Sequence, residues 1–475
     1  MLKDYIFDKI IENFEFKPTI SQVNAVKKIA SFQMSKNEKD VLLLTGYAGT
    51  GKTSLMSAYV NLLNELKTNV VLLAPTGRAA KVLAKHVNQP AYTIHKVIYR
   101  QTGESAFSNF NLNFNKNRNT VFIVDEASMI SNNSDGSTFF GTGQLLNDLV
   151  NFVFSSDGCK LVILGDTAQL PPIGIDISQA LEKEYLEMLG LNVFYSQLTD
   201  VVRQEEDSYI LKNATYLRKI LAENEILDFY PKLMFDNDNV KNISGAELME
   251  ELHYCYDNYG LEETLVVCRT NKRANLYNKG IRNSVLFRED EITSGDYLLV
   301  MKNNYHWLSD DSKISFIANG DIARVLRINK HYDLYGYRYA DLTCELVDYH
   351  NVDIEARIIL DSIYSETAAF SMKEQEEYYK KIEEDYIEIQ SNRKRYEEIK
   401  KDDFYNAMQV KFAYAMTCHK AQGGEWKAVF VDLGYFTEEY LSRSFIRWLY
   451  TAVTRATERL YFVNFPKEFI EKKDV

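Results

Sequence analysis

Four continuous apolar runs in the first half of the chain have the length of buried strands, and each ends abruptly in polar or glycine-rich sequence. DVLLLT breaks into GYAGTGKT and then into a helix-forming stretch that begins near Lys52. NVVLLAP leads to TGRAAKVL, TVFIVDE to ASMI, and KLVILGD to TAQLPPI. Ligands of open parallel sheets sit at the carboxyl ends of the strands, so these polar ends predict an α/β fold with one shared site on a doubly wound sheet.

Past residue 287 the pattern changes. SGDYLLVMKNNYHW, FIANGDIARVLRI and YADLTCELVDY are short alternating stretches separated by Asn-Gly and similar turns, which predicts a small barrel over about 290–360. Between Lys373 and Lys401 stand 9 acidic and 8 basic residues with many acid-base pairs at i,i+4, so about 370–405 reads as a charged helical projection packed by its tyrosines. Residues 96–120 form a polar stretch with Gly, Ser and Asn turn formers around Phe107, Phe110 and Phe114, the pattern of a hairpin.

A length of 475 residues exceeds what one hydrophobic core sustains, so several domains are expected. With 46% hydrophobic residues and only 7 prolines the chain reads as ordered and globular. The net charge of -12 argues against a basic surface overall, yet a strand-binding groove needs only a few locally placed donors. Five cysteines lie far apart without paired spacing, so neither a disulfide framework nor a zinc site is suggested, and a reducing cytoplasm fits best. The N-terminus mixes charges into its apolar residues, so neither a signal peptide nor a membrane anchor is expected.

The strongest local signal is GYAGTGKT, which fits G-x-x-x-x-G-K-[ST] between an apolar strand and a helix. Its backbone N–H groups, from Gly46 through Ala48, Gly49, Thr50 and Gly51, would cradle phosphates at a helix N-terminus. Lys52 would reach the β- and γ-phosphates of ATP, and the Thr53 hydroxyl would ligate Mg2+. Asp125 would hold the same Mg2+ through water, while Glu126 would orient and deprotonate the attacking water. Asp166 and Gln169, after the KLVILG run, are placed to sense the γ-phosphate. Arg203 in LTDVVRQ and Arg455 in YTAVTRA are candidates for guanidinium fingers that arrive when domains close.

Taken in order, Gln22, GYAGTGKT, APTGRAA, VDEAS, LGDTAQLPPI, LTDVVRQ, VVCRTN, TCHKAQGGEW and YTAVTRA resemble the motif ladder of superfamily 1B DNA helicases of the RecD-like and Dda-like group. The matching motifs run from about residue 20 to about residue 463, and the segments between them are not matched residue by residue. The resemblance implies two RecA-like domains with ATP between them, a hairpin wedge in the first and an SH3-like barrel inserted in the second. It assigns 1–205 to the first domain with the hairpin at 96–120, 206–286 with 408–475 to the second, and 287–407 to the insertion.

By the same resemblance Gln22 recognises adenine, and Gln422, Gly423 and Glu425 lie towards the nucleotide. Thr76, His95, Thr417 and His419 fall on positions that contact single-stranded DNA. The implied activity is ATP-driven 5′ to 3′ translocation with duplex unwinding by a monomer, acting on single strands and their junctions with duplex, with repair or replication proteins as further partners. The alternative is an ATP-switched nucleic-acid-binding subunit of a larger complex.

Overall fold

The computed structural model describes the chain except residues 1, 15–16, 102–109, 133–141, 173, 201–207, 224–228, 237, 309–315, 348, 350–351, 368 and 472–475. The strands of the first half are β1 (Asp40–Gly46), β2 (Asn69–Ala74), β3 (Ala91–Thr93), β4 (Tyr99–Gln101), β5 (Phe110–Leu112), β6 (Thr120–Val124), β7 (Lys160–Gly165) and β8 (Asn192–Leu198). Six of them form a parallel sheet in the order β3-β2-β6-β7-β1-β8. Side chains alternate faces along a strand. Leu42 and Leu44 of β1 accordingly enter one core with the Ile20–Met34 and Lys52–Glu65 helices, whereas Val41 and Leu43 enter another with Phe122 and Leu149. Both faces are covered, which is why these strands carry continuous apolar runs.

The predicted hairpin is present as the antiparallel pair β4 and β5, with Tyr99 opposite Leu112. Phe107 lies outside the described residues. Phe114, just past the hairpin, is 70% exposed, with the Arg100 guanidinium 4.8 Å from its ring.

The second half contributes β9 (Val240–Ile243), β10 (Thr264–Cys268), β11 (Tyr297–Val300), β12 (Ile322–Leu334), β13 (Tyr337–Leu346), β14 (Asp353–Ile359), β15 (Met408–Phe412), β16 (Ala415–Thr417), β17 (Trp426–Asp432) and β18 (Ala456–Val463). A second parallel sheet runs β16-β10-β17-β18-β9. Strands β11 to β15 close a barrel, as the alternating stretches predict.

The barrel departs from the expected span in one respect. Its fifth strand, β15, comes from the stretch assigned on sequence to the second RecA-like domain. The chain leaves β14, builds the charged helices Met372–Glu383 and Asn392–Ile399, and returns to pair with both β14 and β11. Closure removes the two edges that a four-stranded sheet would leave open. As expected, the charged helices pack through tyrosines: Tyr378, Tyr379 and Tyr396 are buried with Tyr339 and Ile359 of the barrel. A single core runs from the second sheet into the barrel, joining Val266 and Phe430 to Leu298 and Val410. No helix among the described residues is long and apolar enough to cross a membrane, and all five cysteines are buried and free.

Candidate nucleotide and strand site

The glycine-rich loop joins β1 to the Lys52–Glu65 helix. Gly51 has φ 78°, and a Cβ there would stand 2.6 Å from Gln22 Nε2, so both conformation and space demand glycine. The Thr50 hydroxyl donates to the Tyr47 carbonyl at 2.8 Å and braces the loop from within. The Lys52 ammonium donates to the Gly46 and Tyr47 carbonyls at 2.7 and 3.0 Å, across the loop mouth. Thr53 occupies the first turn of the helix and is half-buried.

Gln22 is buried against this loop. Its Oε1 accepts from the Thr19 N–H at 2.9 Å in a capping box, and its Nε2 donates to the Thr50 carbonyl at 3.0 Å. Both ends of the amide therefore bind the protein, tying the start of one helix to the loop. Gln22→Ala is expected to lower stability by about 1–3 kcal/mol, because two backbone groups lose their partner. Chemical denaturation checks this, and an unchanged midpoint would contradict it.

Asp125 and Glu126 follow β6. Glu126 has φ 52°, a left-handed conformation that costs a non-glycine residue on the order of 1 kcal/mol. Its N–H donates to Asp125 Oδ1 at 2.8 Å. Burial raises the Asp125 carboxyl above its ordinary range, against the pull of Lys52. The Glu126 carboxyl is pushed up to about 7, first by burial and then by Asp125, while Arg455 and Lys52 pull it back. At the end of β7, Asp166 accepts from the Ala168 N–H at 2.8 Å. Gln169 is buried, and its Oε1 has no hydrogen-bond partner among the described residues.

The second sheet supplies the facing wall. Arg455, 4% exposed, donates from Nε to the Thr451 carbonyl at 3.0 Å and from a terminal nitrogen to the Gly424 carbonyl at 2.9 Å. Gln422 Nε2 reaches across to the Leu170 carbonyl at 2.8 Å. Gly423, with φ 76°, passes close enough to the first domain that a Cβ would lie 3.3 Å from Ala79 Cβ. Glu425 is exposed. Arg203 lies outside the described residues.

Three of the four candidate strand residues, Thr76, His95 and His419, have a chain neighbour against segment 316–321, which leads into β12. Thr76 caps the Gly77–Val87 helix, its hydroxyl accepting from the Ala79 N–H at 3.2 Å. A Cβ on the next residue, Gly77, would fall 1.9 Å from Ala318 Cβ. Lys96, next to His95, lies with its ammonium 4.5 Å from the Phe316 ring. Lys420, next to His419, donates to Asn319 Oδ1 at 2.8 Å. Thr417 is the cap residue of the short Cys418–Ala421 helix. Burial lowers the pKa of both His95 and His419, so near neutrality they offer uncharged imidazoles.

The AAA domain family matches residues 19–231, and the UvrD-like helicase C-terminal domain family matches residues 412–463. The ATP-dependent DNA helicase dda of Enterobacteria phage T4 is 23% identical over 90% of this chain and 95% of that protein. The ATP-dependent RecD2 DNA helicase of Deinococcus radiodurans is 24% identical over 92% of this chain but 50% of that protein, so the chain spans half of RecD2. The chain belongs to the superfamily 1B helicases. The crystal structure of the Bacteroides Pif1 helicase in complex with ADP-AlF3 and single-stranded DNA shares the fold, with a TM-score of 0.51 at 15% identity over 97% of this chain and 95% of that one.

Within this superfamily 1B helicase the structure also brings residues to the cleft that the sequence reading passes over. Arg218, on the Tyr209–Glu223 helix, sets its guanidinium 4.6 Å from the ring of the loop residue Tyr47. Nothing in the surrounding stretch marks it out. Tyr450 and Thr451, on the Arg443–Val453 helix, bond to Ala48, Asp166 and Leu170 of the first domain. They lie within YTAVTRA, so the motif pointed to the helix without singling them out.

Proposed function

We propose that this ATP-dependent DNA helicase moves 5′ to 3′ along single-stranded DNA and parts duplex ahead of it, hydrolysing ATP between its two parallel-sheet domains. The observation that carries this reading is the convergence on Glu126. Lys52 of the loop and Arg455 of the opposite domain both act electrostatically on its carboxyl. A base, a phosphate-binding lysine and a finger from across the cleft are the parts that phosphoryl transfer to water requires.

In this mechanism the loop amides and Lys52 hold the triphosphate, and Glu126 takes the proton of the attacking water. Gln169, with its free acceptor, orients that water. Arg455, with Arg203 as a second finger, neutralises charge as it develops. Mg2+, held by Thr53 and through water by Asp125, would draw charge from the β- and γ-phosphates; a hydroxyl, a carboxylate and the nucleotide's own oxygens suit its preference for hard ligands. Gln22 and the Gln422, Gly423 and Glu425 stretch border the nucleotide, while Thr76, His95, Thr417 and His419 hold the strand. Contacts of 316–321 beside three of these four support a barrel that covers the strand path. The domain division at 205, 286 and 407, the exposed Phe114 as an element of the wedge, and action as a cytoplasmic monomer belong to the same proposal.

The test is ATP hydrolysis with and without single-stranded DNA, paired with unwinding of two partial duplexes bearing opposite tails. Stimulation with unwinding from the 5′ tail alone is expected. Stimulation without unwinding would favour an ATP-switched subunit, and absence of stimulation would refute the motor.

A further inference from the structure

The hydroxyl of Tyr450 occupies a junction of three elements. It donates to Asp166 Oδ2 at 2.8 Å and accepts from the Ala48 N–H at 3.0 Å. Ala48 belongs to the phosphate loop, Asp166 to the end of β7, and Tyr450 to the helix of the second domain that leads to Arg455. The side chain is 1% exposed. Burial, with Asp166 adding to it, raises its pKa well above the ordinary phenol value, so the hydroxyl keeps the proton it donates.

Its neighbours repeat the connection. The Thr451 hydroxyl accepts from the Leu170 N–H at 2.9 Å, Gln422 holds the Leu170 carbonyl, and Arg447 donates to the Thr167 carbonyl. Segment 166–170 is thus gripped from the second domain along its length. Arg455 hangs from the same helical turn, because its Nε donates to the carbonyl of Thr451. Of these contacts, Tyr450 alone extends to the phosphate loop. A phenylalanine would fill the same buried space, so the hydroxyl is present for its two hydrogen bonds and not for packing.

We propose that the Tyr450 hydroxyl is a positioning group for hydrolysis, one that ties the loop amide of Ala48 and the Asp166 carboxylate to the helix bearing Arg455. This rests on the reading of Arg455 as the finger given above. Tyr450 touches no reacting atom in this scheme; it fixes the distance between loop and finger. Misplacement of a catalytic group by a small fraction of a bond length is tolerated, whereas about 1 Å can reduce turnover by about 10²-fold.

The experiment uses the full chain and three variants, Tyr450→Phe, Asp166→Asn and the two combined, with ATP hydrolysis measured at saturating single-stranded DNA. For Tyr450→Phe, kcat is expected to fall by about 10-fold to 10²-fold, with KM for ATP changed by less than about 3-fold. The melting temperature should fall by only a few degrees, since the ring is retained while the Ala48 N–H and one Asp166 oxygen lose a partner. Asp166→Asn replaces the charge-assisted bond from the Tyr450 hydroxyl by at most a neutral one and Tyr450→Phe removes it, so the loss in the combined variant should be smaller than the two single losses added together. An unchanged kcat for Tyr450→Phe overturns the proposal. So does a larger fall in melting temperature with kcat and KM damaged together, or an additive loss in the combined variant. A wild-type chain without DNA-stimulated hydrolysis would remove the motor reading and this one with it; an active wild type beside an equally active Tyr450→Phe removes only this one.

Discussion

Replacing Arg455 by alanine is expected to lower ATP turnover by about 10³-fold or more while leaving nucleotide affinity nearly intact, the signature of a group that acts on the transition state. The guanidinium is held at the cleft wall by the Thr451 and Gly424 carbonyls, so its position is set before any phosphate arrives. Its charge already reaches the reacting centre, since it is the largest influence pulling the Glu126 carboxyl down. Arg455→Lys should recover little, because an ammonium lacks the planar fork that can keep both carbonyl bonds and still face a phosphate. The same carbonyls complicate the alanine variant: leaving them unpartnered costs about 1–3 kcal/mol of stability. A melting curve and a nucleotide-binding titration on the same preparation separate the two effects. If affinity falls as far as kcat, Arg455 is a structural support and not a finger.

Much of this site was legible because its chemistry is local in sequence. The loop from Gly46 to Thr53 and the Asp125–Glu126 pair follow apolar strands directly, and a strand of known register delivers its polar end to a known edge. Tyr450 and Arg218 show where such reading stops. Tyr450 lies 284 positions from Asp166 and 402 from Ala48, and its hydroxyl meets them only because two separately built sheets face each other. Arg218 meets Tyr47 for the same reason. Gln22 shows a subtler limit: its place beside the loop followed from the motif order, but the use of both amide ends on Thr19 and Thr50 is a property of packing. The barrel divides likewise. Its hairpin-linked strands β12 and β13 are local, joined through Tyr335 and Gly336, both at positive φ. Strand β15 arrives after two helices, and MQVKF would serve either sheet equally well; its partners are chosen by closure of the barrel, which no local pattern records.

The second large effect concerns Glu126, where charge and proton transfer can be separated by pH. Glu126→Gln keeps the shape and removes the base, so turnover is expected to fall by about 10²-fold to 10⁴-fold. A base works in its ionised form. With the Glu126 carboxyl pushed up to about 7, the working fraction of wild-type enzyme rises as pH rises through that region and levels off above it. The glutamine variant has no such group, and its residual rate should be flat across the same range. Arg455 supplies a third arm, because it holds the Glu126 carboxyl down: in Arg455→Ala the residual rate should have its midpoint moved to higher pH. Lys52 contributes to the same pull, more weakly, and cannot be removed without losing the phosphate contact. A glutamine variant that retained the wild-type pH rise would place the titrating base elsewhere. An unmoved midpoint in Arg455→Ala would mean that the two side chains do not share one centre when ATP is hydrolysed.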